Sequence, residues 1–180
     1  MRTTSVALLA FILGILVLPI AVYLYFSYGH PPVATSDQPF PFEARIVKVP
    51  LNARIKREMP QQAPISATPE VLIAGAHLYR EQCASCHGLK DHPSPFGATM
   101  FPGTPQLWVQ HKNSSVVGVS DDPVGETYWK IDNGIRLSGM PSYRTLLSET
   151  QMWQIATLLA SADKPLPPEA DATLTRPSGN

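Results

Sequence analysis

From Val6 to Phe26 the chain is an almost unbroken run of Val, Ala, Leu, Ile, Phe and Tyr, and no Asp, Glu, Lys or Arg occurs between Thr3 and Ser36. The run predicts a helix: at about 1.5 Å per residue it spans roughly 31 Å, close to the ~30 Å hydrocarbon core of a bilayer. Gly14 and Pro19 are compatible with it, because lipid offers the backbone no other partner. Tyr23, Tyr25, Phe26 and Tyr28 gather at its far end, as in an interfacial belt. A cleaved signal peptide competes with this reading, but its apolar region would be about 7 to 15 residues and would end in a small-x-small site. The longer run without that site favours an uncleaved anchor over residues 1–30. Arg2 on the short side places the rest of the chain outside the cytoplasm.

Helical periodicity returns at Thr68-Pro69-Glu70, a helix-start signal with Pro at the first helical position. Val71, Leu72, Gly75, Leu78 and Tyr79 then recur at spacings of three and four, predicting an amphipathic helix over about 69–82. Gly75 on that stripe would permit close helix contact. Ser148-Glu149-Thr150-Gln151 fits a capping box, and Met152, Ile155, Ala156 and Leu159 continue it as a helix over about 149–161. Glu126 to Leu137 reads as a shorter helix ended near Gly134 and Gly139. No period-2 strand stands out, so the expected fold is all-α, with a long loop over residues 88–126.

Proline is the unusual count, 19 of 180 residues. It crowds into stretches that favour extended or turning chain. Residues 31–68 read as an extracytoplasmic linker with one possible short helix, since Phe42 to Met59 carries Arg45, Lys48, Arg54, Lys56 and Arg57 against Glu43 and Glu58. Residues 163–180 read as a disordered tail with too little apolar surface to offset its ordering entropy. The globular domain is therefore expected over residues 69–162. Fourteen basic residues balance 14 acidic ones, so net charge points to no nucleic-acid partner.

The two cysteines lie together in Cys83-Ala84-Ser85-Cys86-His87, the Cys-x-x-Cys-His spacing that marks c-type haem attachment. Thiols three residues apart on a helical turn can each add to one vinyl group of a haem edge. The next residue, His87, then supplies the proximal axial ligand. Zinc would need two further ligands, and His30, His77, His92 and His111 show no paired spacing. A thioredoxin-like pair would need a βαβ context, and a disulfide across three residues closes almost no loop entropy.

With these residues in view, 69–162 resembles the class I cytochromes c. The likeness rests on Gly75 and Tyr79 leading into Cys83, Cys86, His87 and Gly88, and on Thr104-Pro105-Gln106-Leu107. It continues through Asn133-Gly134-Ile135 and Gly139-Met140-Pro141-Ser142-Tyr143 to the terminal helix with Trp153. The resemblance implies one haem c held by two thioethers, with Met140 as sixth ligand. It also implies that the Pro105 carbonyl accepts from the proximal imidazole. Met100, in a Pro/Gly-rich loop 13 residues after His87, is the rival to Met140. Trp129, Tyr128, Trp153, Tyr143 and Phe96 read as core or haem-wall packing.

The expected function is electron transfer by a single-pass protein of a bacterial inner membrane, with its haem domain in the periplasm. It would exchange electrons with redox proteins, as a respiratory carrier or as a subunit of a membrane complex, rather than transform a substrate. The alternative is a haem enzyme or small-ligand sensor with an open sixth position, against which Met140 argues.

Overall fold

The computed structural model describes residues 2–175, and every regular element among them is helical. The helices are α1 (Arg2–Tyr28), α2 (Glu43–Glu58), α3 (Pro69–Gln82), α4 (Ala84–His87), α5 (Val124–Asn133), α6 (Glu149–Leu159) and α7 (Pro168–Thr175). The chain divides into two compact units, one up to Pro41 and one from Phe42 onward.

In the first unit, α1 is long and apolar enough over Ala10–Tyr28 to cross a membrane, a test of length and composition that a signal sequence also passes. Its end is closed by aromatic contacts, with the Phe40 ring 6.3 Å from Tyr25 and 6.2 Å from Phe26. The Asp37 carboxylate accepts from the backbone N–H groups of Val33 and Ala34, both at 2.8 Å, and those bonds hold it below the usual carboxylate range.

The second unit is organised around α3 and α6. The Thr68 side chain caps α3 by accepting from Val71 N, with Pro69 in the first turn. Ser148 and Gln151 complete the capping box of α6. Leu72, Ala76 and Tyr79 of α3 are buried with Met152, Trp153, Ile155, Ala156, Leu158 and Leu159 of α6, and each fully buried large side chain contributes about 1.5–3 kcal/mol. Gly75 lets the helices meet, because a Cβ there would fall 2.5 Å from the Gln154 carbonyl oxygen. α5 packs on α6 through the Tyr128 ring stacked 4.0 Å from Trp153. It ends at Asn133 rather than Leu137, because Gly134 turns left-handed at φ 67°.

Two expectations drawn from proline content need correction. Residues 163–175 are not a disordered tail. α7 lies against α3 with Ala170 and Leu174 buried, and Arg80 donates to the Thr173 carbonyl at 2.6 Å. Lys90 pairs with Asp171. Ala170 and Leu174, four apart behind a helix-starting Pro168, supply an apolar edge that a proline count does not register. Residues 176–180 lie outside the described residues.

Nor is 31–68 wholly linker. α2 is a full helix whose Ile55 is buried and whose Glu58 accepts from the Trp129 indole at 3.1 Å, so the compact unit begins at Phe42 rather than at 69. Gly125 on α5 leaves room for the Pro60 carbonyl, where any side chain would collide. The long loop has more structure than expected, with a short 3-10 turn at Gly97–Thr99 and bridges pairing Leu89 with His92 and Gln110 with Val117.

Candidate haem site

The site starts where α3 stops. Cys83 caps its C-terminus, with its N–H bonded to the Tyr79 carbonyl, and the chain immediately makes one further turn, α4. Cys86 N and His87 N both bond to the Cys83 carbonyl, at 3.2 and 2.9 Å. That turn keeps the two sulfurs and the imidazole on consecutive positions of a single helical coil. Gly88 then leaves it at φ 74°, where a side chain would be strained, and its carbonyl accepts the buried Tyr79 hydroxyl at 2.8 Å. Burial drives the Tyr79 phenol far above its ordinary range, so it stays a donor.

His87 is fixed at both ends. Its Nδ1 lies 2.8 Å from the Pro105 carbonyl oxygen, and its own carbonyl accepts from Leu107 N at 3.1 Å. A carbonyl has no proton to give, so Nδ1 carries the hydrogen and Nε2 keeps its lone pair. Burial lowers the His87 pKa against the opposing pull of the Pro105 bond, which favours the neutral, ligating form. Burial also pushes the Cys83 thiol up to about 12, with Cys86 adding to the shift. An unmodified Cys83 is therefore a poor thiolate.

Around this turn the long loop closes through Gln106, which the sequence offered only as part of a matching motif, and Ser94, which it did not offer. Gln106 donates to the carbonyls of Cys86 and Thr104, both at 3.2 Å, and accepts from Ser94 N at 2.6 Å. The Ser94 hydroxyl bonds the Ser85 carbonyl and accepts from Gly97 N at 3.0 Å. Gly97 itself is forced, because a Cβ there would collide with the Cys86 carbonyl. Two of the three partners of Gln106 lie 12 and 20 residues away, so its role in closing the loop is set by the tertiary path.

Met140 comes from the loop after α5 and is half-buried against the core. The loop turns tightly, with Ile135 N bonded to the Met140 carbonyl at 3.2 Å and Met140 N bonded to the Ser138 hydroxyl at 3.2 Å. Tyr143 ties it to the haem-motif helix, donating its hydroxyl to the Gln82 carbonyl at 2.7 Å. Burial pushes that phenol up to about 12. Met100 reaches the same loop. Its sulfur accepts the Thr104 hydroxyl at 3.2 Å, and its terminal methyl fills the space a side chain at Gly139 would need. Both candidate methionines thus belong to one neighbourhood.

Two thiols one turn apart, a neutral imidazole presenting Nε2 and a thioether loop nearby form a donor set suited to haem c. Among the described residues no three His, Cys, Asp or Glu side chains gather as a metal cluster. The model of the family described as cytochrome C oxidase, cbb3-type, subunit III matches residues 70–159, from the start of α3 to the end of α6. No curated protein matches the chain. The match takes in half of the chain and every haem-site residue described above, and the fold is the all-helical one such a domain requires. The chain belongs to this family of c-type cytochromes, whose work is electron transfer through haem.

Proposed function

We propose that the chain is a membrane-tethered, single-haem electron carrier with His87 and Met140 as axial ligands. In this reading Cys83 and Cys86 hold the haem by two thioethers, and the haem supplies a one-electron couple. The observation that carries it is the 2.8 Å bond between His87 Nδ1 and the Pro105 carbonyl, which fixes the ring and leaves Nε2 to the iron. A thioether opposite an imidazole favours the reduced iron and raises the potential. α1 is the uncleaved anchor in a bacterial inner membrane, and the second unit lies on its periplasmic side. The chain then serves respiration, as a carrier between redox proteins or as the electron-transfer subunit of a larger complex.

The test is the visible spectrum of the haem-loaded protein, oxidised and reduced, beside those of Met140→Ala and Met100→Leu. The expected result is a weak sulfur-to-iron band near the red end of the oxidised spectrum that Met140→Ala abolishes and Met100→Leu keeps. Loss of the band in Met100→Leu alone would transfer the ligand role to Met100. A high-spin wild type would instead support an open sixth position and small-molecule chemistry.

A further inference from the structure

α2 covers one side only. There it packs on α5, with Ile55 buried, Leu51 half-buried and the exposed Glu58 bonded to Trp129. On the other side, Phe42, Ile46, Val49 and Ala53 fall within roughly 60° of one another at 3.6 residues per turn. Phe42 is 69% exposed, Ile46 67% and Val49 65%. Arg45 and Lys56 flank this stripe on one edge and Arg57 on the other. Phe42 heads it in a left-handed conformation, φ 67°, which is strained for a bulky side chain, and the Arg45 guanidinium stands 5.9 Å from its ring. Five basic residues against two acidic ones make the helix cationic, and the Glu58 carboxylate is taken up by Arg54 and Trp129.

We infer that this face of α2 docks on the anionic phospholipid surface of a bilayer, with Phe42, Ile46 and Val49 entering the headgroup boundary. A narrow apolar stripe edged on both sides by Lys and Arg is what a planar, negatively charged interface selects. Four side chains on one helix also fall well short of the ~800 Å² per partner that a stable protein interface uses. Residues 29–42, a short tether, are all the chain between the end of α1 and the helix. The inference rests on α1 being retained as an anchor. It goes beyond anchoring, because it assigns the bilayer a second contact that would restrict how the haem unit swings on its tether.

The test uses the full-length, haem-loaded chain in bilayers of phosphatidylcholine alone or of equal parts phosphatidylcholine and phosphatidylglycerol. Val49→Cys, Leu16→Cys and Ser114→Cys are each exposed to a water-soluble, membrane-impermeant maleimide. The Val49→Cys thiol should react about tenfold more slowly in the phosphatidylglycerol bilayer, as attraction of three flanking cations implies. Ser114→Cys, in an exposed loop, should react equally in both, and Leu16→Cys in neither. Adding Arg45→Gln, Lys56→Gln and Arg57→Gln should restore rapid labelling of Val49→Cys. Equal fast labelling of Val49→Cys in both bilayers overturns the inference, and so does equal slow labelling, the sign of a protein-covered face. Reaction of Leu16→Cys would defeat the anchor reading separately, and the lipid dependence at Val49→Cys would still decide the docking.

Discussion

The two sides of the haem site are built differently. The His87 side is over-determined: α4, the Pro105 carbonyl, Leu107, Gln106 and Ser94 all converge on a few backbone groups, and Gly97 has no space to be anything else. The Met140 side is a turn that mostly bonds to itself, with Leu137 84% exposed at φ 61° and the Tyr143 hydroxyl tying it back to α3. One side is held by bonds from several elements, and the other is held largely within its own loop. Under the proposed ligation, the His87 side would give the haem a fixed attachment point, and a thioether on the looser turn would tune ligand strength and hence potential.

A matched pair of glycine substitutions breaks this comparison if it is wrong. In Gly97→Val the new side chain meets the backbone of Cys86, which cannot yield without unseating the attachment turn. We expect a loss of about 3–5 kcal/mol, among the largest single-residue effects, and failure of covalent haem retention on a denaturing gel. The counterpart on the other side is Gly139→Ala, where the new methyl meets the flexible end of Met100. Haem retention should be normal there, and the cost about 1 kcal/mol or less by thermal unfolding. Equal effects from the two would show that the sides do not differ as described.

That asymmetry also explains what the sequence could reveal. The single turn that holds Cys83, Cys86 and His87 was legible because the motif is local, and α3 and α6 because their stripes and caps are local too. The contact of Pro105 with His87 was reachable only through resemblance, as was the proposal of Met140, since both depend on the tertiary path of the long loop and of the turn after α5. The bonds made by Gln106, the role of Ser94 and the Met100–Gly139 contact were not legible. The possible helix over Phe42–Met59 is α2, but its packing on the second unit and the order of residues 163–175 were both missed, for one cause. Proline content in 31–68 and 163–180 outweighed the spacing of Leu51, Ile55, Ala170 and Leu174, four positions that find cover only once α3 and α5 are in place.

Between the two glycine effects lies Tyr143→Phe, which removes the hydroxyl linking the Met140 loop to the Gln82 carbonyl. The half-buried carbonyl loses its partner, at a cost of about 1 kcal/mol. Because the link runs between the two sides, the sulfur-to-iron band should weaken or vanish at lower temperature than in the wild type, while the haem stays attached. Measuring that band and the unfolding midpoint together separates loosening of the loop from loss of the domain. Coincident loss of both would mean that the turn is as rigid as the His87 side.

The smallest effect is expected where neither side is touched. Glu58 on α2 accepts from Arg54 Nε at 2.9 Å and from the Trp129 indole at 3.1 Å, and these bonds, Arg54's foremost, lower its pKa below 4.5. A carboxylate depressed in the folded state adds stability that is fully present above its unfolded value. That stability is lost as pH falls through the lower, folded one. Below pH 4.5 the wild type should therefore lose slightly more stability than Glu58→Gln, whose amide does not titrate, while near neutrality the variant is the weaker of the two. Unfolding midpoints of both proteins on either side of that value test the sign. The red-end band should be unchanged by the substitution at neutral pH, because α2 packs on α5 and contributes nothing to the bonds that hold His87. A shift in the band would mean that α5 transmits strain from α2 into the Met140 turn, and that the adjustable side of the site extends as far as the basic helix.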